Sequence, residues 1–293
     1  MNYPFVVKNI RQELKTYLQE SKLQSLVLGI SGGIDSTLCA LLAAPVCDDL
    51  GVELIGRSIT IASNKTEEIE RARLVGKHFC NDFRELELTS QFENIRSSIN
   101  NQRWTEGYTA EDEAETKTRI REGNIKARQR MIVLYDLAQY HNGMVLSTDN
   151  LTELLLGFWT LHGDVGDYGM IQNLWKTEVY DLVEWFSHQT QDYSPAEIKA
   201  MQTVIEADAT DGLGVSSTDL DQILPDWQAR HNNTWSGYRE VDLILQAAED
   251  ETSPVMQRKR RSEFKRQNPY NIPRKIIDMK DPKFQPEQTC YIL

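Results

Sequence analysis

From residue 25 to residue 149 short apolar runs alternate with longer amphipathic stretches. "SLVLGI" (Ser25–Ile30) predicts a buried strand, and the apolar stretch after it predicts a helix that ends by Gly51. "VELIGRSI" (Val52–Ile59) predicts the next strand and "KTEEIERARLVGKHF" (Lys65–Phe79) the next helix. "RELEL" (Arg84–Leu88) is a weaker strand signal, followed by a long helix from about Asn124 to His141 and a strand at "GMVLSTD" (Gly143–Asp149). The N-terminal "MNYPFVVKNIRQELKTYLQ" reads as an amphipathic helix ahead of the first strand. Strands alternating with helices predict an α/β fold with a doubly wound, mainly parallel sheet carrying helices on both faces.

Two stretches resist the pattern. Ser97 to Glu122 is polar and charged, and reads as a mobile loop or lid before the long helix. From Tyr238 onward a helix is predicted, then a basic run with prolines at Pro269 and Pro273. With no internal repeat or low-complexity tract, the economical organisation is one domain over residues 1–293 with a helical C-terminal extension.

Composition narrows the class. A formal net charge of −12 argues against a broad nucleic-acid surface, because a phosphate backbone is repelled by most of such a protein. Cys39, Cys47, Cys80 and Cys290 form no C-x-x-C pair, which disfavours a disulfide framework or structural zinc and suits a reducing compartment. No apolar run reaches the roughly 18–20 residues of a membrane span. The N-terminus lacks the marks of a signal peptide. The expected location is cytoplasmic, with no membrane partner.

The chemistry lies in "LVLGISGGIDSTLCALL" (Leu26–Leu42), where a strand passes through a glycine pair into a helix. Gly32 and Gly33 let the backbone approach a phosphate, and Ser31 and Ser36 add hydroxyls. The stretch lacks the lysine of a Walker loop and the spacing of G-x-G-x-x-G. It has Asp35 instead, and a carboxylate beside a phosphate makes sense with Mg²⁺ between them. The competing reading makes Asp35 a capping group in the first turn of the helix.

"SGGIDS" (Ser31–Ser36) resembles the S-G-G-x-D-S loop of the ATP pyrophosphatases, which cleave ATP to AMP and pyrophosphate. Further segments resemble those of ammonia-dependent NAD synthetases in that superfamily. "EGNIKARQRMIVLYDLAQ" (Glu122–Gln139) resembles G-N-[IV]-x-A-R-x-R-M, and "LSTDNLTELLLGFWTLHGD" (Leu146–Asp164) resembles G-T-x-N-x-x-E…G-[FY]-x-T-K-Y-G-D. "IQNLWKTEVYDL" (Ile171–Leu182) and "ATDGLGVSSTDLDQIL" (Ala209–Leu224) match two later segments, so the likeness runs over about residues 20–265, leaving 266–293 as a tail.

The resemblance implies an adenine nucleotide alpha hydrolase-like fold and a ligase that amidates deamido-NAD with ammonia through an adenylated nicotinate carboxylate. It places ATP on Gly29, Ile30, Ser31, Gly32, Gly33, Ile34, Asp35, Ser36, Thr148 and Lys176. It assigns Mg²⁺ to Asp35 and Glu153, and catalytic roles to Lys176, Asp164 and Asp167. Deamido-NAD falls to Asn124, Arg128, Asp164, Asp167, Arg258 and Lys259. It further implies a homodimer.

Plainer readings stand beside these. Glu153 also suits the first turn of a helix, Asp164 a loop cap, and Lys126 and Arg130 a solvated basic helix end. The family's T-K-Y-G-D reads "TLHGD" here, with Leu161 in place of lysine and His162 in place of tyrosine. Aligning Asp167 with the second family acid needs a gap, and the basic triplet placed at Arg258–Arg260 begins with arginine rather than histidine. A different carboxylate acceptor, or a binding protein without turnover, are the alternative functions. The stretch before the first strand is too short for a glutamine amidase, and no cysteine has a nucleophile's context, so free ammonia is the expected nitrogen donor.

Overall fold

The computed structural model describes residues 1–62, 64–105, 115–210 and 212–272. Four parallel strands, β1 (Ser25–Gly29), β2 (Glu53–Thr60), β3 (Asp82–Glu87) and β4 (Gly143–Val145), stand in the order β3-β2-β1-β4. The helices that precede and join them are α1 (Tyr3–Ser21), α2 (Ile34–Leu50), α3 (Thr66–Phe79), α4 (Thr89–Thr105) and α5 (Glu115–Tyr140). Both faces of the sheet are covered, as the alternation predicts. Leu26 and Leu28 of β1 point into a core shared with α1, α2 and α3, while Val27 between them meets Ile55, Val145 and Ala138 under α5. A strand buried on both faces has no polar positions to alternate, which is why "SLVLG" reads as one continuous apolar run.

The chain leaves β1 toward β2 and β3, then returns to place β4 on the other flank of β1. A crevice opens where the order reverses, at the carboxyl ends of β1 and β4, and ligands of such sheets bind there. Beyond β4 come α6 (Leu151–Leu156), α7 (Lys176–Ser187) and α8 (Pro195–Ile205). A second apolar cluster joins α6 to α9 (Leu220–Ile223), α10 (Thr234–Ala247) and α11 (Pro254–Arg261), and α12 (Glu263–Arg266) follows.

Three expectations change. The segment expected as a lid, 97–122, is helical up to Thr105 in α4 and again from Glu115 in α5, and its residues 106–114 lie outside those described. Its polar sequence has no apolar stripe to announce a helix; ion pairs such as Glu115–Arg119, one turn apart, stand in its place. The last strand ends at Val145 rather than Asp149, after which Leu146 bridges to Tyr168. The basic run is helical through Arg266; residues 273–293 and Cys290 lie outside the described part.

Candidate active site

The SGGIDS loop is held by its own hydroxyls. Ser31 Oγ and Ser36 Oγ lie 3.1 Å apart, Gly33 N donates to Ser31 Oγ at 3.2 Å, and Ser36 Oγ donates to Gly33 O at 3.1 Å. Gly32 has φ +81°, and a Cβ there would meet Glu68 O at 2.3 Å and Ala72 N at 2.9 Å, so only glycine fits. The first-turn N–H groups of α2, as in any helix, lack intrahelical acceptors, and Ile34, Asp35 and Ser36 line the crevice.

The competing reading of Asp35 fails on this geometry. The N-cap of α2 is Gly33, and no side chain caps it. Asp35 instead turns toward the far side of the switch point, where its Oδ2 lies 2.6 Å from Lys176 Nζ. Glu153, on α6, presents its Oε1 to the same ammonium at 2.8 Å. Glu153 serves both readings at once, since its Oε2 accepts from Asn150 N at 3.3 Å to close a capping box. A sequence offers no way to split one carboxylate between two tasks.

Lys176 is only 2% exposed, and its ammonium also lies 5.2 Å from the centre of the Tyr238 ring. Burial pulls its pKa down, but Asp35 and Glu153 outweigh burial and hold it well above the ordinary lysine value. Glu153 is raised to about 7 by burial, with Lys176 opposing and Asp35 adding to the rise. Lys176 is fixed through its backbone. Its N–H donates to Thr152 Oγ1 at 2.9 Å, and Asp242 accepts from Thr152 Oγ1 at 2.5 Å and from Thr177 N at 3.0 Å.

One cavity of about 230 Å³ joins these groups to the carboxyl ends of β1 and β2, and Thr148, Asp149 and Asp164 line it. Asp164 accepts from Thr160 N at 2.6 Å. The surrounding protein raises its pKa to about 6, although water reaches it within the cavity. Asp149 is buried and bonded by Ser147 Oγ at 2.9 Å, and burial, with Asp164 and Glu153 nearby, holds it well above the usual carboxylate range.

Asp167 stands apart from the cavity. Its oxygens accept from Tyr135 Oη at 2.9 Å and from Val145 N at 3.0 Å, so it extends the edge of β4. Asn124 and Arg128, four apart on α5, do face one way: Thr160 Oγ1 donates to Asn124 Oδ1 at 2.9 Å, and Arg128 Nε donates to Leu161 O at 3.2 Å. Lys126 and Arg130 are not a solvated helix end. Lys126 Nζ donates to Leu213 O at 3.0 Å, and Arg130 donates to Ile59 O at 3.1 Å and Gly212 O at 3.2 Å, tying α5 to the 212–213 turn.

Arg258 donates to Leu156 O at 3.3 Å and Gln222 O at 3.0 Å, and Lys259 does not line the cavity. The residues the sequence did not single out are Lys265 and Arg266. Lys265 Nζ bonds Gly157 O at 2.7 Å and Trp159 O, and is the foremost cation acting on Asp164; Arg266 bonds Leu154 O at 3.2 Å and Leu155 O at 2.5 Å. In a run as basic as "QRKRRSEFKR" nothing local distinguishes Arg258, Lys265 and Arg266, which turn inward, from the others. Thr210 was missed as well; it lines the cavity and donates to Glu68 at 2.7 Å.

Hard oxygen donors on two facing carboxylates fit Mg²⁺, which is bound through one or two carboxylates plus substrate phosphates rather than by a full protein cage. Among the described residues no group of three or more His, Cys, Asp or Glu side chains is placed to hold a metal.

At the switch point of the parallel sheet, then, a glycine loop faces two acids and a buried lysine. The NAD synthase family model matches residues 6–269. The NH(3)-dependent NAD(+) synthetase of Methanococcoides burtonii is 32% identical over 260 residues, covering 87% of this chain and 89% of that protein. The chain belongs to the NAD synthase family. Its fold is also that of the NMN synthetase from Francisella tularensis (TM-score 0.67, 20% identity, 91% of this chain and 96% of that one). The NH3-dependent NAD synthetase from Campylobacter jejuni is similar too (TM-score 0.61, 20% identity, 97% and 99% covered).

Proposed function

We infer that this protein is a ligase that forms a C–N bond, amidating deamido-NAD with ammonia at the expense of ATP. The observation that carries the reading is the meeting of Asp35, Glu153 and Lys176 over the SGGIDS loop. ATP lies with its phosphates on Ser31–Ser36, its α-phosphate near Thr148 and Lys176. When bound, Mg²⁺ would be held by Asp35 and Glu153 and would neutralise charge on the departing pyrophosphate. A nicotinate carboxylate oxygen attacks the α-phosphorus, and the bond to the β-phosphate oxygen breaks. Lys176, itself buried, brings fixed positive charge to that transition state, and preorganised charge of this kind is typically the largest single catalytic effect. Ammonia then attacks the acyl carbon, AMP leaves with its electron pair, and Asp164 takes the proton that the amine sheds.

Asn124 and Arg128 hold the Thr160–Leu161 turn and offer an amide and a guanidinium to the dinucleotide, and Arg258 and Lys259 add positive charge for it. Asp167 contributes by position, fixing the edge of β4. A homodimer is part of this proposal, supported by Ile132 and Tyr140, which α5 leaves 60% and 83% exposed. Among the described residues no helix is long and apolar enough to cross a membrane.

The test is pyrophosphate release from Mg²⁺-ATP with ammonium, with and without deamido-NAD. Release that depends on deamido-NAD, with NAD formed in step, is the expected result. Leu161 favours a second arm of the assay, with other carboxylates as acceptors. Release with one of those and not with deamido-NAD would overturn the assigned acceptor.

A further inference from the structure

Asn150 is fully buried between the two acids of the cation site. Three of its polar groups are engaged with the two acids, two of them on a carboxylate oxygen and the third on the backbone of Glu153. Its Nδ2 donates to Asp35 Oδ1 at 2.8 Å. Its Oδ1 accepts from Glu153 N at 3.0 Å, and its own N–H donates to Glu153 Oε2 at 3.3 Å. One oxygen of each acid is thereby tied to Asn150. The other two, Asp35 Oδ2 and Glu153 Oε1, are the ones that face Lys176.

That division of oxygens has a consequence. Asp35 and Glu153 would hold a divalent cation through the oxygens that now face Lys176, and the cation would supply positive charge beside the phosphates. The Asn150 contacts lie on the opposite oxygens and do not compete for that position. Asn150, unlike Lys176, can thus hold the acids without occupying the oxygens a cation would use. A carboxylate's terminal torsion is broad, so an acid with neither oxygen tied would swing.

We propose that Asn150 is a positioning residue that presets both carboxylates for a divalent cation, linking α2 to α6 across the switch point. This rests on the reading of Asp35 and Glu153 as the Mg²⁺ pair. Hydrogen-bond partners that orient metal ligands typically change metal affinity or activity by roughly 10–100-fold when removed.

Asn150→Ser and Asn150→Thr test it in parallel. Both retain a cap oxygen for Glu153 N but lose the Nδ2 donor to Asp35, and threonine fills more of the vacated volume. Mn²⁺ affinity is read from water-proton relaxation with an α,β-methylene analogue of ATP present, beside thermal unfolding. The expected result is folded protein with Mn²⁺ affinity lowered about tenfold or more. In turnover, the Mg²⁺ half-saturation rises while kcat recovers at excess metal. Unchanged Mn²⁺ affinity in either folded variant overturns the proposal, as does a kcat that excess Mg²⁺ does not restore. Loss of folding in both variants also overturns it, because the amide would then hold the fold and not the acids. Wild-type protein that takes up no Mn²⁺ would refute the metal pair itself, a separate failure.

Discussion

Replacing Lys176 by methionine keeps most of the aliphatic stem and removes the charge that Asp35 and Glu153 share at 2.6 and 2.8 Å. Deleting one partner of a buried ion pair costs about 3–5 kcal/mol, because the remaining charge is left without compensation. The loss should depend on pH with a definite sign. Burial already lifts Glu153 from 4.5 to about 7, so the folded chain binds that proton more tightly than the unfolded chain. Its contribution to stability therefore falls as pH rises between those values. Without Lys176 opposing the rise, Glu153 moves further up, so the deficit is smaller near pH 5, where only the pairing with Asp35 is lost, and approaches its full size above pH 7. Mg²⁺ at a hundred times its Kd adds about 2.7 kcal/mol to whichever form binds it. The variant should gain more from a given Mg²⁺ concentration than the wild type, where the metal must first displace an ammonium. Urea unfolding at pH 5 and pH 8, with and without Mg²⁺, reads all of this. Equal stability of the two proteins at pH 8, or an equal gain from Mg²⁺, would refute the shared-cation reasoning.

Two further outcomes follow from the geometry. Gly32→Ala forces a Cβ against Glu68 O and Ala72 N at a φ of +81°. It should destabilise by about 1–3 kcal/mol and weaken ATP binding more than it lowers stability, as calorimetry of ATP binding beside thermal unfolding will show. Asp82 sits partly buried, which raises its pKa, but its bond to Arg57 at 2.7 Å brings the net value below the usual 3.8. That stabilisation is present above pH 3.8 and is lost as pH falls through the lowered value. Asp82→Asn should cost about 1–3 kcal/mol at pH 7 and flatten the acid limb, so that unfolding midpoints of the two proteins converge near pH 2. A constant gap down to that pH would show the charge is not what Arg57 uses.

Much of the α/β frame was legible because burial on both faces leaves a strand no choice but continuous apolar residues, and the intervening helices need an apolar stripe. "SLVLG" is therefore a strand in any context that covers it. The SGGIDS loop was legible too, since φ +81° at Gly32 admits no other residue. The first part of α5 was hidden because its helix is stabilised by ion pairs and by docking onto the 212–213 turn rather than by a stripe. Charge in a sequence looks the same whether water or a carbonyl will meet it, so Lys126, Arg130, Lys265 and Arg266 read as surface until tertiary contacts supply their acceptors.

The sequence by itself determined the alternation of strand and helix, the glycine loop and the identity of the acids beside it, because backbone sterics and burial act over a few residues. Which side of the switch point each acid occupies, and whether it caps, binds a cation or braces a strand, depends on partners more than 20 residues away. Asp35 meets Asn150 and Lys176 across 115 and 141 residues of chain, and Asp167 is drawn off to Val145 and Tyr135. Only the folded sheet, by setting β4 beside β1, decided those partnerships.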